Sequence, residues 1–140
     1  MREGAVRDSE RLLERYDATV AVHPDLSGRL APLRRAVAAH TGALALGTAK
    51  ASPAPSGPAS PSGSPSASPP PSAPAAGRAQ VPEKPAEALS ALADAERSLS
   101  EARTIALAGA PGELARLLAS VAACGAVHAY LLTSNPGASS

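Results

Sequence analysis

Phenylalanine and tryptophan are missing from this 140-residue chain, and only two tyrosines supply aromatic surface. Isoleucine occurs once, against 7 Val, 16 Leu and 34 Ala. The β-branched and aromatic residues that fill pleated sheets are therefore nearly missing, while the two strongest apolar helix formers dominate. That excludes a β-sandwich or barrel and argues against an α/β enzyme core. Cysteine is almost lacking too: Cys124 stands alone, so the chain can close no internal disulfide. Net charge is +1, which gives no electrostatic case for a nucleic-acid partner, and neither helical half is strongly basic. Runs of about 18 uninterrupted apolar residues are lacking, so no transmembrane segment is expected. The first residues, Met1 to Glu14, alternate charges too often for the core of a signal peptide.

What is present is organised around one low-complexity stretch. All 27 residues from 51 to 77 are Pro, Ser, Ala or Gly. They offer no bulky side chain to bury, so a disordered linker over 48–81 is expected, with a disordered tail over 135–140. Proline density there favours an extended tether.

Two helical halves flank the tether. Within DSERLLERYDATVAV, Leu13, Tyr16 and Val20 fall at helical spacing. The next segment places Leu26, Leu30, Leu33, Val37, His40 and Leu44 four and three apart, a core seam. Pro24 suits a first helical position, whereas Pro32 should kink or restart the helix. Beyond the tether, Leu89, Leu92, Glu96, Leu99, Arg103 and Ala106 align. After the break AGAPGE, Leu114, Leu117, Val121, Cys124, His128 and Leu131 align in turn. Each half reads as a helical hairpin, over 1–47 and 82–134. Two hairpins with a long connection between the second and third helices predict an all-α four-helix bundle with one long crossover.

Chemistry could reside only in polar residues on these seams: His40, Glu96, Arg103, Cys124 and His128, with Tyr16 on the first helix and Glu10, Glu14 and Asp17 beside it. The simplest expectation is a buried polar cluster in which His40 and His128 hydrogen-bond Glu96 or Tyr16. Cys124 and His128 are four apart and could mimic a thiol–imidazole nucleophile pair. No cleft-forming loop or oxyanion donor accompanies them, so packing is the better reading. His23 reads as a turn residue and Arg34–Arg35 as a solvated face.

A helix pair, a long connection and a second pair, with His on helices two and four and Glu on helix three, resemble the ferritin-like fold. More closely, DSERLLERYDATVAVHPDLSGRLAPLRRAVAAH and ELARLLASVAACGAVHAYLL are similar to a group of actinobacterial ferritin-like proteins, many described as lipoproteins. The resemblance covers both helical halves and skips the tether. It implies the fold, but no activity, since that group has none established. Ferritin-like di-iron sites take Glu-x-x-His from each of two helices and a carboxylate from each of the other two. Here Val37 and Gly125 stand where those glutamates would precede His40 and His128. The expectation is therefore a non-enzymatic bundle with no catalytic residue and no cofactor. His40, Glu96 and His128 are the candidates if a mononuclear metal site exists. The alternative is a degenerate ferritin-like metal-binding or oxidoreductase protein. A homodimer or another protein partner is left open by the Ala-rich faces. Location is cytoplasmic for the chain as written, or a cell-envelope lipoprotein if translation starts further upstream.

Overall fold

A computed structural model describes residues 1–49 and 80–134. The expected disordered linker and tail lie almost wholly outside those residues. Among the described residues there are four long helices and no strand. They are α1 (Arg2–Val22), α2 (Ser27–Ala49), α3 (Pro85–Ala106) and α4 (Gly112–Thr133). Short 3-10 turns at Pro24–Leu26 and Leu107–Gly109 join the members of each hairpin. Pro24 and Pro85 open their elements at a position where the missing N–H costs nothing. Glu87 and Glu113 stand in the first turns of α3 and α4, and Arg103 in the last turn of α3, each complementing the helix dipole.

Side-chain bonds fix the topology. His23 ends α1, and its Nε2 lies 2.7 Å from the carbonyl of Pro82, just ahead of α3. Arg29, in the first turns of α2, donates from Nη2 to the carbonyls of Leu131 (2.8 Å), Leu132 (3.1 Å) and Ser134 (2.6 Å). It thereby serves carbonyls that the C-terminus of α4 would leave unpaired. One end of the bundle, the head, thus holds the α1–α2 turn, the start of α3 and the end of α4. At the foot, Arg2 Nη1 donates to the carbonyl of Leu44 (3.3 Å). The helices run up, down, down, up, with the long crossover between α2 and α3.

The core forms along the predicted seams with four corrections. On α1 the buried line is Ser9, Leu12, Tyr16 and Thr19, while Leu13 and Val20 only flank it. Ser9 and Thr19 can be buried because each hydroxyl donates to the carbonyl four residues back, Ala5 (2.9 Å) and Arg15 (2.8 Å). On α4 the buried face is Leu114, Leu118, Val121, Ala122, Gly125, His128, Ala129 and Leu132, and Leu131 is 45% exposed. Pro32 does not restart α2, which runs through it unbroken. The hydrogen bond forgone, to the carbonyl of Gly28, lies near the exposed start of the helix. On α2 and α3, Leu30, Leu33, Val37, Leu44, Leu89, Leu92, Glu96 and Arg103 are buried as expected, while Leu26 and Leu99 only flank the core and Ser100 takes the inward place beside Leu99.

By length and composition α4 alone among the described helices would suffice to cross a membrane, a test that an apolar core helix passes equally, so no clear transmembrane segment emerges among the described residues. In the bundle its large apolar residues Leu114, Leu118, Val121 and Leu132 pack in the protein core, alongside the buried imidazole of His128.

Candidate functional site: a polar seam between the hairpins

The polar residues of the seams meet in the middle of the bundle. Glu96 on α3 is 1% exposed. Its Oε1 accepts from the Tyr16 hydroxyl of α1 (2.8 Å) and lies 3.0 Å from Nδ1 of His128 on α4. A carboxylate oxygen accepts, so the imidazole proton of His128 belongs on Nδ1. The His40 ring of α2 stacks on that of His128, centroids 6.5 Å apart and planes 23° from parallel. One residue from each helix therefore enters a single cluster. Burial, reinforced by the adjacent Glu96 carboxylate, holds the Tyr16 phenol far above the ordinary tyrosine value. Burial lowers His40 below the ordinary histidine value; His128 and Arg103 push the same way and Glu96 opposes them. His40 is thus neutral at pH 7.

Two turns further along α3 lies Arg103, 5% exposed. Its Nη2 donates to Ser9 Oγ (2.5 Å), and Ser9 in turn donates to the carbonyl of Ala5. Nε of Arg103 is buried and finds no hydrogen-bond partner among the described residues. Burial lowers the Arg103 guanidinium, while Glu96 and Asp8 support its charge. A buried anion and a buried cation thus share one helix face about 10 Å apart, which tempers the cost of desolvating either.

Gly125 closes the cluster on the α4 side. A Cβ built there would lie 3.3 Å from Glu96 Oε2, 3.4 Å from the Glu96 carbonyl and 3.4 Å from Ser100 Cβ. Ser100 is itself fixed by donation from Oγ to the carbonyl of Ala122 (2.6 Å). The missing side chain lets α3 and α4 approach closely around the carboxylate.

These positions bear on each candidate. His40, Glu96 and His128 do converge, but through a hydrogen bond and a ring stack. Among the described residues no three His, Cys, Asp or Glu side chains are arranged to hold a metal ion. A di-iron centre does not fit the donor set. Val37 is a buried core residue, and at Gly125 any longer side chain would meet Glu96 and Ser100. Cys124 is half-buried. Glu10, Glu14 and Asp17 are exposed on the outer face of α1, and Asp17 forms a bidentate pair with Arg34 (2.5 and 3.0 Å). That pair holds the Asp17 carboxyl below its ordinary value and joins α1 to α2, so Arg34 is more than a solvated charge. Two contributors were not foreseen. His23 is buried and anchors the approach to α3, and Arg29 serves the end of α4. Neither partner carries a side-chain signal, since both accept through backbone carbonyls.

Fold and site together define an all-α bundle of two hairpins fastened by a buried polar seam. No family model matches the chain, and no curated protein or solved structure does either.

Proposed function

We propose that this protein is a non-enzymatic helical module of the ferritin-like type, with an interaction or structural role, in which the former ligand positions have become fastening points of the core. The observation that carries the reading is the hydrogen bonding of Glu96. One carboxylate oxygen is engaged by both Tyr16 and His128, deep in the interior. A catalytic acid or base must reach a substrate, whereas these groups are spent on one another. On the resemblance drawn from the sequence alone, the proposal extends to a place at the cell envelope.

A second reading, a degenerate metal-binding bundle, draws on the gathering of His40, Glu96 and His128 at one level. Elemental analysis separates the two. Untagged protein is incubated anaerobically with Fe(II) or Zn(II), desalted and analysed beside His128→Leu. The expected result is no stoichiometric metal in either protein. Two iron atoms per chain, or one zinc lost on substituting His128, would overturn the non-enzymatic reading.

A further inference from the structure

The outward face of α4 is unlike the rest of the surface. From Leu117 to the end of the helix there is no Lys, Arg, Asp or Glu, and the only ionisable imidazole there, His128, faces inward. Along this face the residues change in size. Nearer the foot stand Ala119, Ser120 and Ala123; nearer the head stand Val127, Tyr130 and Leu131, which are 54%, 70% and 45% exposed.

We propose that this face pairs with the same face of a second copy, the two α4 helices running antiparallel about a two-fold axis level with Gly125. The proposal rests on the interaction role argued above and names its partner. Antiparallel pairing at that level sets the large end of each helix against the small end of the other: Val127 over Ala123, Tyr130 over Ala119 and Leu131 over Ser120. An isologous contact requires such self-complementarity, and a size gradient along one helix provides it only when the helices oppose. Leu46, 74% exposed, borders a groove at the foot that it shares with Leu117 and with the charged Arg2, Glu113 and Arg116, so charge rims the foot end of the contact. A lipid surface fits less well. Interfacial helices rim their apolar face with Lys or Arg, and beyond Arg116 this one has none. A single helix face is smaller than a standard protein interface, so the dimer should be weak and concentration-dependent.

The test uses the full chain. In sedimentation equilibrium the mass should rise with concentration from 13.8 kDa toward twice that value, and Leu131→Asp should weaken association at least tenfold. Circular dichroism should show retained helicity and a cooperative melt, with a modest drop in Tm because Asp replaces a half-buried leucine in the last turn of α4. In a Cys124→Ala background, chains carrying Ala123→Cys should cross-link to chains carrying Val127→Cys, while neither variant should cross-link efficiently with itself. A monomer at every concentration overturns the proposal. So does association that Leu131→Asp leaves intact, or cross-linking of Val127→Cys alone, which would indicate parallel helices. A monomer that floats with phosphatidylcholine vesicles, and stops doing so as Leu131→Asp, overturns it in favour of a lipid contact. None of these outcomes depends on metal content, so failure here is distinct from failure of the non-enzymatic reading.

Discussion

Replacing Gly125 by alanine would set two effects of comparable size against each other. Alanine in a helix interior is worth about 1 kcal/mol over glycine. Against that gain, the new methyl carbon would sit 3.3 Å from Glu96 Oε2 and 3.4 Å from both the Glu96 carbonyl and Ser100 Cβ. None of these neighbours can retreat cheaply. The Glu96 carboxylate is held at its other oxygen by Tyr16 and His128, the carbonyl belongs to α3 itself, and Ser100 is tied to the backbone of α4. Overpacking of a well-filled interior costs roughly 1–3 kcal/mol, so the net effect should be a loss of about 1 kcal/mol, or ~4–8 °C in Tm for a domain of about 100 residues. Gly42 provides the control. It lies inside α2, is exposed, and a Cβ there meets nothing within 4 Å. Gly42→Ala should therefore stabilise by about 1 kcal/mol through propensity alone. Urea unfolding followed by circular dichroism, at a protein concentration low enough to suppress self-association, measures both. Equal stabilisation by the two substitutions would refute the claim that α3 and α4 close around Gly125.

Tyr16→Phe removes one of the two donors to a buried carboxylate and should cost about 1–3 kcal/mol in urea unfolding. Because the folded state holds the Tyr16 phenol protonated well above its ordinary value, wild-type stability should fall as pH rises beyond about 10. The Phe variant should lack that contribution. At the acidic end the sign reverses. His40 is lowered in the folded state, so the unfolded chain binds the proton more readily and stability should decline as pH drops below about 6.5. His40→Gln should flatten this limb of the pH–stability curve, and an unchanged slope would show that His40 is not its source.

Much of the architecture was legible in the spacing of leucines. The seams of α2 and α3 emerge largely as read because their leucines and Val37 recur at three and four, although on α3 Ser100 faces inward where Leu99 only flanks the core. On α1 the reading slipped by one residue at Leu13, because Leu12 and Leu13 are adjacent and periodicity cannot choose between them. The choice is made by Ser9 and Thr19, which look polar in sequence yet satisfy their hydroxyls within their own helix. On α4, where small apolar residues are nearly continuous, pattern alone does not orient the helix and points Leu131 inward. Close approach at Gly125 decided otherwise. The polar cluster was readable as a set of seam residues, but its geometry was not. Which donor reaches Glu96, and whether His40 bonds or stacks, depends on how the hairpins dock.

That docking gives the two α1–α3 contacts a further significance. Tyr16 meets Glu96, and seven residues earlier on α1 Ser9 meets Arg103, seven residues later on α3. The contacts are two rungs in one antiparallel register. A core built largely of Ala and Leu discriminates poorly between alignments that differ by a helical turn, because one small methyl-bearing surface resembles the next. Sliding α3 by a turn, about 5.4 Å, would break both rungs at once and leave a buried carboxylate and a buried guanidinium facing apolar neighbours. Removing one partner of such a buried charge is among the most costly changes a core can suffer, even where the intact pair adds little stability of its own. The polar seam thus selects one sliding position from several that hydrophobic burial would accept almost equally.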